Sequence, residues 1–348
     1  MISQTIKKIK PLDKKAMIGA QKRLDSLSKP KDSLGKLERV LCQLAGIQGK
    51  AIPCIKQKAA ILAAGDHGVA AQNVSAYPQE VTVQMLLNFT DGGAAMSVLM
   101  RQLAGRLYVV DVGVIGDYPE DSGIINYNIR HGTNDISQGA AMTEEEAQKA
   151  VLVGIKLAEQ AISEGAKIIA IGEMGIANTT PSAALASFYC QMPAAEACGY
   201  GTGIDEQRLH NKIAAVEAAL KLNQKSAPLA VLAQLGGLEI AALAGIIIGS
   251  AAGQCAVVID GYISSVAALC AVELAPLAKD YIIGSHQSFE PGHGKVLAYL
   301  QIEPLLLLDM RLGEGSGAAL ALQLLDSALL LMTEMTTFSE AGVANKIK

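Results

Sequence analysis

Glu314 lies among small residues in Arg311-Leu312-Gly313-Glu314-Gly315-Ser316-Gly317, just before an apolar helical stretch. The macrodipole favours a glutamate at a helix start. Small residues on both sides of a single charge also let a ligand approach closely, and a carboxylate in that setting can act as a general base. Glu173 stands in Gly172-Glu173-Met174-Gly175-Ile176-Ala177-Asn178-Thr179-Thr180-Pro181, at the tip of an apolar strand where an acidic residue has little packing purpose. Thr180 and Pro181 mark the first turn of the next helix, and the free N–H groups of a helix start, with its dipole, hold phosphate. Gly199-Tyr200-Gly201-Thr202-Gly203 is a second glycine-rich turn, with Lys212 on the helix beyond it. It follows Ala-Ala-Glu-Ala-Cys rather than a strand, which argues against a dinucleotide fingerprint and leaves an anion-holding turn open.

Two further clusters carry polar groups. In Gly65-Asp66-His67-Gly68-Val69, followed by Ser75-Ala76-Tyr77-Pro78 and Gln84-Met85, the neighbouring Asp66 and His67 suit bracing hydrogen bonds better than a metal or acid/base pair. His286-Gln287-Ser288-Phe289-Glu290-Pro291-Gly292-His293 offers two imidazoles, but Pro291 and Gly292 break any single helical face and no third His or Cys cluster stands nearby. The expectation is therefore no metal and no cofactor.

Elements that could position these groups are visible as short apolar runs, each ending in Gly or polar residues. They are Ala59 to Ala64, Leu107 to Val112, Ile168 to Ile171, Ala256 to Ile259, Tyr281 to Ile283 and Leu305 to Leu308. Runs without alternation are the mark of parallel strands covered on both faces. Helical patterns lie between them: Leu34, Leu37, Val40, Leu41, Leu44 and Ile47 form one stripe, and Thr143 with Glu146 opens a long amphipathic run with a capping box. Alternation of strand and helix predicts an α/β, doubly wound, Rossmann-like parallel sheet, with its ligand beyond the carboxyl ends of the strands. The Gly, Asp, Glu and His clusters fall at those ends.

The chain of 348 residues has no linker-like tract. It reads as a large α/β domain over 50–313, with 1–49 and 314–348 forming a smaller helical subdomain. A composition that is 51% hydrophobic, with 34 Gly and no Trp, suits closely packed helices on a sheet. The net charge of −4, without a basic stripe, speaks against a nucleic-acid partner. Cys42, Cys54, Cys190, Cys198, Cys255 and Cys270 show no CxxC spacing, and Met1 to Lys10 has no apolar core, so a reducing, cytoplasmic setting is expected. Residues 240–259 carry no charge over about the length of a membrane span. Gly245, Gly249 and Gly253 interrupt this stretch and Asp260 follows it, so it reads as a buried helix and then a strand.

Taken together, these motifs resemble the nicotinate-nucleotide:dimethylbenzimidazole phosphoribosyltransferase family over nearly the whole chain. The resemblance begins at Lys29-Pro30 and Ser33-Leu34-Gly35-Lys36-Leu37-Glu38. It continues through Gly65 to Val69, Ser75 to Pro78, Gly92-Gly93-Ala94-Ala95, Gly172 to Thr180, Gly201-Thr202-Gly203, Leu235 to Ile240, Asp260-Gly261, His286 to His293 and Arg311 to Gly317. It implies transfer of phosphoribose from nicotinate mononucleotide to an aromatic lower-ligand base of a cobamide, in a dimer with a Rossmann-like large domain. The family's catalytic glutamate falls on Glu314, and Glu173 matches a second acidic residue of the same pocket. Phosphate segments fall on Gly175, Ile176, Asn178, Thr179 and Thr180 and on Gly201, Thr202 and Gly203, with Lys212 as charge partner. Base recognition falls around Tyr77, Pro78 and Gln84, and Leu312 is expected at the substrate. Tyr200 stands where the family often has Arg, Ser316 where it usually has Thr, and Asp32 is a further departure.

The chemistry agrees with this likeness. Nicotinate leaves a cationic pyridinium ribosyl bond as a neutral ring, so one base suffices and neither a general acid nor a Lewis acid is needed. Two other readings differ in class: a catalytically weak paralogue within a heterodimer, and a nicotinamide-dinucleotide oxidoreductase. Retention of both Glu173 and Glu314 argues against the first. Neither glycine turn follows a strand with a suitably spaced acidic residue, which argues against the second.

Overall fold

A computed structural model describes residues 1–344. Six strands, β1 (Lys58–Gly65), β2 (Arg106–Gly113), β3 (Ile125–Asn126), β4 (Ile168–Met174), β5 (Ala256–Ile259) and β6 (Ile282–Gly284), form one sheet in the order β3-β2-β1-β4-β5-β6. Every pair is parallel. This is the doubly wound α/β arrangement. The continuous apolar runs are strands because helices cover both faces: every residue of β1 and of β4 is buried.

Two strand expectations need correction. Leu305 to Leu308 is not a strand; it contributes a single bridge, Leu306 to His286, and Leu307 and Leu308 turn outward. The run therefore lies beyond the sheet's edge and cannot be buried on both faces. β3, only two residues long, has no apolar run to announce it.

The uncharged stretch 240–259 resolves into the helix Leu238–Ala252 and β5, both inside the protein. That helix crosses the helix Glu144–Ser163, whose capping box of Thr143 and Glu146 is formed. A Cβ on Gly154 would sit 1.9 Å from the Ala242 carbonyl oxygen. Gly154→Ala should therefore push two backbones apart and cost about 3 kcal/mol, a fall in Tm of roughly 4 °C for a chain of this size. Gly139, with open space around its Cβ position, provides the control substitution. Equal melting of the two alanine variants would contradict the close crossing.

The helices Lys14–Ser26 and Lys36–Gln48 pack on one another and on the far end of the helix Ser316–Glu334, around Leu24, Leu41, Ala328 and Met332. The near half of that last helix, through Ala319, Leu322 and Leu325, belongs to the main core. The helix Lys36–Gln48 likewise joins both clusters, giving Val40, Leu44 and Ile47 to the main core, and the boundary drawn at residue 314 falls at the start of a shared element. Residues 345–348 of the C-terminal segment lie outside the described residues. By length and composition Ser316–Glu334 could cross a membrane, but half of its apolar window is buried in protein.

Candidate active site

The strand order reverses its direction of growth between β1 and β4, the place where doubly wound sheets bind ligands. A cleft of about 590 Å³ opens beside the carboxyl end of β4 and extends over that of β5, within the usual range for small-molecule sites. Its walls are largely apolar, with Val81, Met85, Ile176, Ile204 and Leu312 among them, and its polar groups converge from separate elements.

Glu173, near the end of β4, is buried, and its Oε2 accepts a hydrogen bond from the Asn178 amide. Its Oε1 accepts from the Glu314 N–H at 3.4 Å. Burial pushes the Glu173 carboxyl up to about 8; the Asn178 amide opposes this, and the charges of Asp260 and Glu239 add to it. Glu314 is half-buried, and its carboxylate has no hydrogen-bond partner among the described residues. Burial, then the charge of Asp260, pushes it up to about 7. Two adjacent carboxyls are thereby separated: at neutral pH Glu173 holds its proton and Glu314 titrates, the pattern expected of a positioned acid beside a working base.

The backbone presents Glu314 deliberately. Gly313, Glu314 and Gly315 have φ of 76°, 60° and 75°, three successive left-handed residues. Glutamate in that conformation costs on the order of 1–3 kcal/mol, and only glycine fits comfortably on either side. Gly172 of β4 passes so close that a Cβ there would lie 2.8 Å from the Glu314 carbonyl carbon.

Across the cleft lies Lys212, on the helix Glu206–Leu222 and 1% exposed. Its ammonium donates to the Gly199 carbonyl at 3.0 Å, and two of its three donors have no partner among the described residues. Burial pushes this amine down, and Glu290 opposes that. At the start of the helix Thr179–Cys190, the N–H groups of Ala177 and Thr179 have no internal partner among the described residues, nor does that of Thr202. Ala177 is itself left-handed, with φ of 74°. An ammonium and unpaired N–H groups around one space suit a phosphate.

Glu314, Glu173, Gly175, Ile176, Asn178, Thr179, Gly201, Thr202, Lys212, Tyr77 and Leu312 all line this cleft. Pro78, Gln84, Thr180 and Gly203 do not. On the helix Glu80–Thr90 the cleft face takes Val81 and Met85, four residues apart, and Gln84 falls off that face into solvent. Thr180 is wholly buried inside the fold. The expected phosphate donors also narrow. The Gly201 N–H is taken by the Glu290 carboxylate at 2.9 Å. The Gly203 N–H is taken by the Tyr200 carbonyl, and that of Ile176 by the Thr82 hydroxyl.

The remaining polar clusters brace the site. The Asp66 carboxylate accepts from the Thr82 hydroxyl at 2.7 Å and from the Ile115 N–H at 2.8 Å. His67 Nε2 pairs with Glu239 Oε1 at 2.9 Å, both buried. His293 lies between the Ser265 hydroxyl and the Ser288 N–H, and burial pushes it down to about 3, so it is neutral.

Sequence reasoning assigned no role to Asp260, Glu290, Tyr262, Val81 or Met85, all on the cleft wall. Asp260 had a signal: a charge directly after the apolar β5. Val81 and Met85 also had one, a spacing of four before any helix face could be assigned.

A family model described as phosphoribosyltransferase matches residues 9–343. The chain is 48% identical to the nicotinate-nucleotide–dimethylbenzimidazole phosphoribosyltransferase of Desulforamulus reducens, over 99% of this chain and 99% of that protein. It is 45% identical to the protein of that name from Geobacter sulfurreducens, over 99% and 98%. A solved structure with the same name, from Thermus thermophilus, matches with a TM-score of 0.91 at 43% identity, covering 96% of this chain and 100% of that one.

Proposed function

Because the chain belongs to the nicotinate-nucleotide–dimethylbenzimidazole phosphoribosyltransferase family, we propose that its cleft moves the 5-phosphoribosyl group of nicotinate mononucleotide to a lower-ligand base. Attack on the ribose C1 by an acceptor nitrogen, or by a phenol oxygen, forms the new glycosidic bond. The bond from C1 to the nicotinate ring nitrogen breaks, and its electron pair neutralises the pyridinium. The acceptor's proton goes to Glu314. A single in-line displacement turns the β-nucleotide into an α-riboside 5′-phosphate and releases nicotinate, the step that activates the lower ligand of a cobamide.

Lys212 and the N–H groups of Ala177, Thr179 and Thr202 hold the phosphate, and Tyr77, Val81, Met85 and Leu312 flank the aromatic base. Glu173, protonated and fixed by Asn178, sets the position of Glu314. The observation that carries this reading is the pair Glu173 and Glu314: one carboxyl is buried and bonded, the other free in the cleft and poised near neutrality. Six free cysteines support a cytoplasmic enzyme. Leu307, Leu308, Phe289 and Leu312, all exposed beside the Glu314 loop, support a homodimer packed through that edge, and a paralogue would be the alternative partner.

Purified chain, nicotinate mononucleotide and a panel of benzimidazoles, purines and phenols, with chelator present, should give base-dependent release of nicotinate and an equimolar riboside phosphate, identified by mass. Elution at twice the mass of one chain is expected on sizing. Nicotinate release without any riboside product, or turnover restored only by a divalent ion, would overturn the mechanism.

A further inference from the structure

The strained turn carrying Glu314 needs a restraint from outside itself, because its helix has no cap of its own. The helix Ser316–Glu334 starts at Gly315, which has no side chain to bond the first N–H groups. Four N–H groups at a helix start are otherwise left open. Asp260, at the tip of β5 and 2% exposed, takes that role across the sheet: Oδ2 accepts from the Gly315 N–H at 3.1 Å and Oδ1 from the Ala318 N–H at 3.0 Å. The cap is therefore bonded to the residue that follows Glu314. Gly317 is held to the same contact, since a Cβ there would be 2.9 Å from Asp260 Oδ1 and 2.1 Å from His286 Nδ1.

We propose that Asp260 is a positioning residue for the transfer reaction: through its bonds to the Gly315 and Ala318 N–H groups it locks the left-handed Gly313-Glu314-Gly315 turn from β5, with its own carboxyl close to that of Glu314. The proposal rests on Glu314 being the base. A bond to the neighbouring amide fixes where the carboxylate can reach, and misplacement of a reacting group by about 1 Å can cost on the order of 10²-fold. Burial pushes the Asp260 carboxyl up, and His286 and the helix N–H groups oppose this; its negative charge makes Glu314 harder to ionise and so a stronger proton acceptor near neutrality. The other charged or titratable groups around Glu314 are Glu173 from β4, His286 beyond β6, Arg311 on its own loop, and Lys212 and Glu290 across the cleft. Of these, Glu173 is held protonated at neutral pH and Lys212 faces the phosphate side. Asp260 is the near anion whose removal changes the field at Glu314.

Asp260→Asn puts an amide donor against one helix N–H, and Asp260→Ser keeps a small capping oxygen without charge. In either folded variant, kcat should fall about 10–100-fold with the KM for nicotinate mononucleotide nearly unchanged. The acidic limb of kcat/KM should move to lower pH, because Glu314 loses the neighbour that raised it. Placed in a Glu314→Gln background, the same substitution should cost at most about twofold, since residues acting as a unit are not additive. A mere helix cap would lower Tm but leave the pH limb unmoved and the two losses multiplicative; that result overturns the proposal, as does failure of both variants to fold. If Glu314→Gln alone is fully active, it is the assignment of Glu314 that fails, and the two failures are thereby told apart.

Discussion

Glu314→Gln should lower turnover about 10²–10⁴-fold, the usual worth of a general base, while the KM for nicotinate mononucleotide stays near its original value. Glutamine keeps the shape and the left-handed turn but cannot take the acceptor's proton. The pH dependence adds a second check. The base works only when ionised, and its carboxyl is pushed up to about 7, so kcat/KM should fall about tenfold per pH unit below neutrality and level off above it. The Gln variant should lose that limb. Glu173→Gln keeps one of the two oxygens that accept from the Asn178 amide and the Glu314 N–H and should cost less, since Glu173 already holds its proton at neutral pH. Near-normal turnover in the Glu314 variant would transfer the role to Glu173.

Lys212→Met should raise the KM for nicotinate mononucleotide about 10–100-fold, the equivalent of losing a hydrogen bond between charged groups, with little change in the KM for the base. Methionine retains the buried stem, so packing against the helix Thr179–Cys190 survives and the ammonium alone is lost. Lys212 and Arg311 are the cleft's cations among the described residues, and Tyr200, which stands where the family often has Arg, spends its hydroxyl on Glu206. The proposed phosphate site therefore leans on a single buried amine. Nicotinate riboside, which lacks the phosphate, is the discriminating substrate: wild-type enzyme should prefer the mononucleotide strongly, and the variant should lose most of that preference. An unchanged preference would place the phosphate elsewhere.

Much of this was written in local sequence. Strands buried on both faces must be continuously apolar, and their polar tips must be where a parallel sheet meets solvent, so β1, β2, β4 and β5 and the residues beyond them could be read without neighbours. Glu314 and Glu173 were legible for a related reason: a carboxylate among glycines, or at a strand tip, has no packing role to explain it. The capping box at Thr143 and the buried helix before β5 follow from spacing and from interrupting glycines within a few residues.

Tertiary structure decided what depends on residues far apart in the chain. Whether a backbone N–H is free for phosphate cannot be seen locally: the Gly201 N–H is consumed by Glu290, 89 residues away. Gln84 and Met85 are adjacent in sequence, and only the direction of their helix chose the methionine for the cleft. Asp260 is 55 and 58 positions from the N–H groups it caps, and the order β4-β5 in the sheet is what brings it beside Glu314. Strand identity comes from local burial, but hydrogen-bond partnership and the electrostatic neighbours that tune a carboxylate come from topology. The carboxylate proposed as the base was therefore readable in the chain, and the contacts and neighbouring charge proposed to prepare it were not.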